Sequence, residues 1–182
     1  MDELVDILDD KGNHKGISLM KSEAHQKGLF HPTVHIWLYT LDGRILVQQR
    51  GKYKDTHPLL WDVSVAGHVG AGENIEISAV REVEEEIGLK IRPSDLQRIG
   101  VFKSVQKHSE SLIDCEFHHI FLTELLVPLE NLTKQESEVA DLKLMSIAQF
   151  EEELGNKETS KKYVPHSFDY YKAILAEVKK LL

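Results

Sequence analysis

A glycine-containing loop that leads into an acidic helix is the feature that most constrains this chain. Three glycines stand within residues 67–72, and the pattern from Glu76 to Ile87 predicts a helix that stops at Gly88. Three acidic residues at i, i+3 and i+4 put their carboxylates on one face of that helix. The apolar residues lie about 120° away around the axis, so they would pack on a sheet while the acids line an edge. The acids are Glu82, Glu85 and Glu86, and the apolar residues are Ala79, Val80, Val83 and Ile87.

Two interpretations of the acidic face stay open at this point. Like charges four residues apart destabilise a helix by about 0.2–0.5 kcal/mol per pair. No lysine or arginine follows at the spacing that would relieve them. Clustered carboxylate oxygens are the ligands that Mg²⁺ or Mn²⁺ requires. The alternative is an acidic face exposed to water, which general grounds favour for an arbitrary helix, so the choice depends on the surrounding residues.

The rest of the chain mixes strand and helix patterns. An Asp-Gly turn at 42–43 between two apolar segments predicts a β-hairpin. Several strands around one central helix, followed by terminal helices, favour an α+β or layered αβα fold. We expect one domain over residues 1–182, with an N-terminal strand and extension at 1–30 and a C-terminal helix packed on it at 155–182. Strands are predicted at 3–8, 33–40, 45–49, 60–66, 98–106, 111–124 and 141–145, and helices at 76–87, 150–154 and 168–182, with a short helical segment at 21–27.

Charge and composition limit the partners. With 30 acidic and 22 basic residues, the formal net charge is −8 at pH 7, which argues against nucleic acid or an anionic membrane as a partner. A phosphorylated small molecule fits if a metal ion or placed Lys and Arg side chains neutralise it. The first residues lack the basic and apolar segments of a secretory signal. The single cysteine, Cys115, excludes an internal disulfide, so we expect a cytoplasmic protein.

The loop and helix together resemble the Nudix box. Every defined position of that box is filled over 23 residues, which makes the resemblance specific. It implies a Nudix-type αβα sandwich with a mixed β-sheet over roughly residues 1–150. Read forward, the pattern is Gly67, five residues, Glu73, seven residues, Arg81-Glu82-Val83, one residue, Glu85-Glu86, one residue and Gly88-Leu89.

The Nudix resemblance implies a metal-dependent hydrolase that cleaves the diphosphate linkage of a nucleoside diphosphate joined to another moiety. Carboxylates at the positions of Glu82, Glu85 and Glu86 bind Mg²⁺ or Mn²⁺ in that family, helped by the backbone at Gly67. The metal neutralises phosphoryl oxygens and lowers the pKa of a bound water, and a carboxylate takes the water's proton. We therefore count Glu82 and Glu85 as catalytic candidates.

Other box positions have supporting roles by the same resemblance. Glu73 orients the loop and helix, and Gly72 and Gly88 are structural positions of the motif. Arg81 either contacts the substrate or forms a salt bridge to Glu73 or Glu85. The resemblance also leaves room for a homodimer, since dimers are common among proteins of this kind.

Residues 61–68 resemble the segment before the box in isopentenyl-diphosphate isomerase, a Nudix-fold enzyme. Arg50 and Lys54 resemble its diphosphate contacts, so we expect both to bind substrate. That isomerase builds a metal site from three histidines and two acidic residues. The matching positions here are His25, His31, His68, Asp114 and Glu116.

Two departures argue against isomerase activity. The isomerase uses a cysteine and a glutamate to move protons at carbon, and Ala66 occupies the cysteine position. It has also lost most Nudix metal ligands, whereas Glu82 and Glu85 are kept here. We therefore expect an isomerase-like Nudix protein that retains hydrolase chemistry. Isomerase activity and a non-catalytic nucleotide sensor are the alternatives.

Several residues outside the box have two interpretations each. Asp114 and Glu116 share a strand face, so Glu116 is a metal ligand or general base, or else both acids face solvent. His68 beside the loop binds metal or phosphate or neither. His35 and His118 are better explained as structural or hydrogen-bonded core residues. Glu136 and Glu138 either contribute to the site from a late loop or lie in a solvated loop. An aromatic residue either stacks on a base or belongs to the core, and the candidates are Tyr53, Trp37, Phe102 and Phe117. The remaining histidines follow no pattern, and these are His14, His57, His108 and His166.

Overall fold

A seven-stranded mixed sheet organises the protein in the computed structural model, which describes residues 2–182. A separate two-stranded hairpin precedes it. The strands are β1 (Leu4–Leu8), β2 (His14–Met20), β3 (His31–Thr40), β4 (Arg44–Arg50), β5 (Trp61–Asp62), β6 (Val65–His68), β7 (Gln97–Ser109), β8 (Leu112–Glu124) and β9 (Val139–Ser146). The helices are α1 (Lys21–Lys27), α2 (Ile75–Ile87), α3 (Ile147–Gly155) and α4 (Phe168–Lys180).

The centre of the sheet is β3. It runs parallel to β8, with His31 opposite Glu116, and antiparallel to β4 and β6. The β7 strand pairs antiparallel with β8, and β4 also pairs with β5 and β9. Parallel and antiparallel pairs therefore share one sheet, which confirms the α+β prediction.

Helices cover both faces of this sheet. Successive side chains of β3 alternate between the faces, so Ile36 packs toward α2 while Trp37 packs toward α3 and α4. From α2, Val83 and Ile87 are fully buried, and burial of each contributes about 1.5–3 kcal/mol. The predicted apolar stripe is confirmed there, and the layers form the expected sandwich.

Three local predictions are wrong. The strand predicted at 60–66 is split into β5 and β6, because buried Ser64 interrupts the ladder to bond Leu46 O and Leu38 N. Gly67 therefore lies in β6 rather than in a loop. β2 was not predicted because its largely exposed residues do not alternate. Amphipathic spacing within residues 168–182 predicts Phe168 on the buried stripe of the C-terminal helix, but Phe168 is 74% exposed, since it directly follows the N-cap Ser167.

No helix within residues 2–182 is long and apolar enough to cross a membrane.

Candidate active site

A cleft of about 730 Å³ opens between α2, β6, β8 and the segments that follow β4 and precede α4. Its lining is mostly polar and charged. It brings together most of the residues that the sequence singled out. These are His25, Arg50, Lys54, Gly67, His68, Arg81, Glu82, Glu85, Glu86, Asp114 and Glu116.

The ends of α2 are fixed by its own sequence. The Asn74 side chain caps the N-terminus by accepting hydrogen bonds from the backbone of Glu76 and Ile77. Gly88 ends the helix at φ +68°, a conformation that favours glycine. Gly72 lies in the preceding turn, where its N–H donates to Asp6 Oδ2 at 2.8 Å. The motif glycines thus set where the acidic face begins and ends.

Gly67 has no room for a side chain. A Cβ built on it would lie 2.0 Å from Cδ of Glu82 and 2.3 Å from its Oε1. The β6 backbone and the Glu82 carboxylate are therefore in close contact. Only glycine at position 67 lets Glu82 lie flat against the strand at the edge of the cleft.

Two of the three α2 carboxylates are buried. Burial raises the pKa of Glu82 to about 7 and that of Glu86 to about 8, and the charge of Glu82 adds to the shift at Glu86. Glu86 Oε2 accepts a hydrogen bond from Gln48 Nε2 at 3.0 Å. Glu85 is different, since its side chain is 50% exposed. Two carboxylates held out of water without full neutralisation suit a bound cation.

Arg81 connects the acidic residues of the box. Its Nη1 lies 2.7 Å from Glu82 Oε1 and 3.0 Å from Glu85 Oε2, and its Nη2 lies 3.1 Å from Glu73 Oε2. No basic residue follows the acidic face at the matching spacing, but Arg81 precedes Glu85 by one turn and relieves part of its charge. The salt-bridge alternative for Arg81 is thus observed with both acids named for it. Glu73 also accepts from Gly70 N at 3.2 Å, so it ties the loop to the helix.

A second group of ligand-type side chains lies in the same cleft. Ligand atoms of its four members lie within 4.8 Å of one another, and among residues 2–182 no other set of three or more is as compact. His25 Nε2 is 3.3 Å from His31 Nε2, and Glu116 Oε1 is 3.5 Å from His31 Nε2 and 3.4 Å from His68 Nε2. Parallel pairing of β3 with β8 brings His31 opposite Glu116. We call His25, His31, His68 and Glu116 the histidine cluster.

The pKa values of the histidine cluster shift in different directions. Burial and the neighbouring His68 lower the pKa of His25 to about 4, and burial lowers the pKa of His68. Although burial opposes it, bonding to Glu116 raises the pKa of His31. The same contacts hold the pKa of Glu116 well below its usual range, against the effect of burial. His31 Nδ1 donates to Leu29 O at 2.9 Å, which turns Nε2 toward its neighbours.

Two polar atoms at this cluster lack a partner. His68 Nε2 and Asp114 Oδ1 are buried without a hydrogen bond to any described residue. Asp114 Oδ1 lies 3.9 Å from His25 Nε2, while its Oδ2 binds His108. Asp114 and Glu116 therefore face the cleft together, and the solvent-facing alternative does not hold. Buried Cys115 between them points to the opposite face.

The two groups suit different cations. The α2 carboxylates and the Gly67 backbone offer oxygen only, which fits Mg²⁺ or Mn²⁺. Imidazole nitrogens with one carboxylate fit a transition metal such as Zn²⁺ or Mn²⁺. The buried carboxylates of Glu82 and Glu86 support a cation at α2. The unpartnered atoms His68 Nε2 and Asp114 Oδ1 support a cation at the histidine cluster.

The predicted diphosphate contacts lie in the cleft but have protein partners. Arg50 Nη1 donates to Asp62 Oδ2 at 3.1 Å, and its Nε donates to Thr56 O at 3.1 Å. Lys54 is paired with Glu138. Arg50 is thereby fixed in orientation, whereas Lys54 can exchange its partner for a substrate.

The remaining candidate residues are buried, line the cleft, or do both. His35 and His118 are buried and bond Tyr170 Oη at 2.7 Å and Thr33 Oγ1 at 2.8 Å, and both also line the cleft. Trp37 and Phe117 are core residues, and Glu138 lines the cleft. Sequence reasoning missed Asp62, Gln48 and His166, which also line or support the cleft. Asp62 follows Trp61 in a short strand, and an acidic residue in such an apolar context was the available signal.

Comparisons with known proteins agree with this geometry. The NUDIX domain family model matches residues 29–167. The chain is 34% identical to an uncharacterised Nudix hydrolase of Clostridium acetobutylicum, over 96% of each chain. It is also 34% identical to the isopentenyl-diphosphate Delta-isomerase of Serratia proteamaculans, over 67% of this chain and 66% of that protein. The crystal structure of DR0079 from Deinococcus radiodurans matches with a TM-score of 0.66 at 17% identity, over 84% of this chain and 89% of that one.

The structural likeness to DR0079 shows the fold alone. The family model spans the seven-stranded sheet, α2 and most of the cleft, and the Clostridium relative covers nearly the whole chain. On that basis the chain belongs to the Nudix hydrolase family.

Proposed function

We propose that this Nudix hydrolase cleaves the phosphoanhydride bond of a nucleoside diphosphate linked to another moiety, with Mg²⁺ or Mn²⁺ as cofactor. The observation that carries the proposal is the pair of buried carboxylates, Glu82 and Glu86, with Glu82 pressed onto the backbone of Gly67. Burial of two acids on one helix costs stability unless a cation compensates it. The pair therefore supports a metal-binding role.

Glu82, Glu85 and Glu86, with the carbonyl of Gly67, would hold the metal. When bound, the metal would neutralise phosphoryl oxygens and acidify a water. Glu85 is the most exposed of the three, so substrate can reach it. Arg81 holds Glu82 and Glu85 close together by bonding both. Glu116 stays a catalytic candidate through the histidine cluster, where His31 and His68 hold it ionised.

Substrate phosphates would be met by the basic groups of the cleft. Arg50 presents a fixed guanidinium, and Lys54 supplies a mobile ammonium. His68, a member of the histidine cluster, supplies an imidazole ring that lines the cleft. A cleft with so few apolar lining residues favours a nucleotide or another polar group over a prenyl chain. The substrate is thus a small molecule, and we place the enzyme in the cytoplasm, where the single buried Cys115 stays reduced.

The histidine cluster favours one alternative, an isomerase-like reaction on a prenyl diphosphate. Its residues match the isomerase metal positions, and an isomerase is among the relatives. Ala66 occupies the proton-transfer position, however, and an alanine methyl has no exchangeable proton. The third candidate, a nucleotide sensor without turnover, gives no reason for the intact α2 carboxylates.

A substrate panel with Mg²⁺ and Mn²⁺ tests the proposal. It would include dinucleoside polyphosphates, ADP-ribose, sugar nucleotides, coenzyme A, nucleoside di- and triphosphates and prenyl diphosphates. We expect metal-dependent cleavage of at least one nucleoside diphosphate derivative. Isotope exchange at the carbon of a prenyl diphosphate would support the isomerase, and tight nucleotide binding without product would support the sensor.

A further inference from the structure

A buried aspartate holds a histidine and an arginine on the cleft wall formed by β4, β5 and the segment before α4. Asp62 is 3% exposed, and its Oδ1 accepts a hydrogen bond from His166 Nε2 at 2.8 Å. Arg50 Nη1 donates to Oδ2 at 3.1 Å, and Val63 N donates to Oδ1 at 2.8 Å. Although burial opposes it, His166 and Arg50 hold the pKa of Asp62 well below its usual range. Asp62 is therefore an ionised hydrogen-bond acceptor.

The backbone around His166 is anchored before any ligand binds. Val164 N donates to Trp61 O at 2.8 Å, and His166 N donates to Val164 O at 2.8 Å. Tyr171 Oη donates to the same carbonyl at 2.7 Å. The imidazole ring lies 4.5 Å from the Tyr170 ring. These contacts fix the ring, so little conformational entropy is lost when it acts on a substrate.

The carboxylate of Asp62 also fixes the tautomer of His166. Because a carboxylate oxygen can only accept a hydrogen bond from Nε2, the proton stays on that nitrogen and Nδ1 carries a lone pair. Nδ1 forms no hydrogen bond with any residue from 2 to 182. The side chain is 8% exposed, and His166 is one of the residues that line the cleft. His166 thus combines a place on the cleft wall with a ring nitrogen that is free to accept a proton.

The Asp62–His166 pair lies at the same end of the sheet as the acidic face of α2. Asp62 lies directly opposite Gln48 in the antiparallel pair of β5 and β4, so their side chains are on one face. Gln48 Nε2 in turn donates to Glu86 Oε2 at 3.0 Å. One cross-strand pair therefore links the Asp62–His166 pair to a carboxylate of α2. His166 and the three α2 carboxylates line the same cleft.

We propose that His166 is the catalytic base of the hydrolysis, an inference that rests on the proposed function. In this step the oxygen of water bonds to phosphorus while one of its protons moves to Nδ1 of His166. The bridging P–O bond breaks, and its electron pair leaves with the departing phosphate oxygen. Asp62 keeps the ring in the accepting tautomer and stabilises the imidazolium. His166 then returns the proton to solvent.

The alternative is a purely structural network, in which Asp62 only joins β5 to the segment before α4. A structural pair would lower stability when broken but leave the turnover of the folded protein unchanged. Kinetics on folded variants therefore separate the two roles.

The test compares wild type, His166→Gln and the control His119→Gln on the panel substrate that wild type cleaves best. His119 lies on β8 and bonds Arg98 outside the cleft. We expect His166→Gln to lose about 10²–10⁴-fold in kcat, and the control to keep wild-type turnover. The KM of His166→Gln should stay within about threefold of the wild-type value. We also expect imidazole to restore turnover to His166→Ala.

Each contrary outcome has a distinct meaning. Normal kcat in folded His166→Gln, or failure of imidazole to restore His166→Ala, overturns the inference and leaves the proposed function standing. A wild type inactive on the whole panel overturns the proposed function and this inference together. If the variants do not fold, ¹⁵N spectra of wild type still test the inference, because a proton on Nδ1 would contradict it.

Discussion

The carboxylate of Glu82 occupies the space in which a β-carbon of Gly67 would lie, with only 2.0 Å between that position and Cδ of Glu82. Gly67 and Glu82 are fifteen positions apart in sequence, and they are in direct contact. Position 67 must therefore be glycine if the Glu82 carboxylate is to keep its place.

Gly67→Ala should consequently displace Glu82 and weaken the metal site. We expect the affinity for Mn²⁺ to fall by about 10–100-fold, as when supporting groups of a metal site are lost. Overpacking should also lower the free energy of unfolding by about 1–3 kcal/mol. Titration with Mn²⁺ and chemical denaturation measure the two effects. Gly100→Ala is the matched control, since a Cβ at Gly100 meets nothing within 4 Å. Unchanged Mn²⁺ affinity in Gly67→Ala would contradict the contact's proposed role.

Glu85→Gln should abolish most turnover while the protein stays folded. The side chain is half exposed, so its replacement should change the free energy of unfolding by no more than about 0.5 kcal/mol. Loss of the carboxylate should lower the rate by orders of magnitude. Phosphate release and circular dichroism measure the two. Glu84→Gln on the same helix is the control, because Glu84 is exposed and pairs with Lys90. Equal turnover by Glu85→Gln and wild type would remove Glu85 from the mechanism.

The histidine cluster should bind a transition metal independently of α2. A bound cation stabilises the folded state by about 2.7 kcal/mol when its free concentration is 100 times its Kd. We expect Zn²⁺ to raise the Tm of wild type and of Glu85→Gln but not that of His31→Gln. Thermal unfolding with and without chelator measures the shift, and His14→Gln on the exposed hairpin is the control. The same metal-induced shift in His31→Gln would show that the cluster is not a metal site.

Buried histidines should make the protein sensitive to acid. Burial, together with the charge of His118, lowers the pKa of His35 well below 6.5. The unfolded chain then binds a proton at His35 at a higher pH than the folded protein does. Its contribution to stability is thus complete above pH 6.5 and is lost as pH falls toward the folded-state pKa, at up to about 1.4 kcal/mol per pH unit.

Denaturation of His35→Gln between pH 7 and pH 5 checks this slope, because glutamine keeps a hydrogen-bonding group near Tyr170 without titrating. We expect a shallower loss of stability than in wild type. An unchanged slope would mean that His35 does not carry the acid sensitivity. His14→Gln should leave the slope as in wild type.

Local patterns explain why much of the site was predictable. The positions of Glu82, Glu85 and Glu86 follow from helix periodicity, and the ends of α2 follow from Asn74 and Gly88. The acidic face and the ends of α2 depend on residues within a few turns of one another, which a single sequence shows directly. The mixed sheet instead followed from the Nudix resemblance.

Long-range contacts were out of reach of the sequence. Asp62 and His166 are 104 positions apart, and the turn before α4 alone brings them together. Parallel pairing of β3 with β8 places His31 beside Glu116, a contact that only the isomerase resemblance indicated. The exposure of Phe168 depends on where α4 begins, which amphipathic spacing does not define. Domain limits, the homodimer and the roles of individual site residues stay predictions.

Crystals soaked in Mn²⁺ test the central claim most directly, since anomalous scattering locates the ion without an assay. The account predicts an anomalous peak between the α2 carboxylates and the backbone of Gly67, with Arg81 turned away from at least one glutamate. A peak at the histidine cluster alone, with Glu82 and Glu85 still bound to Arg81, would contradict it.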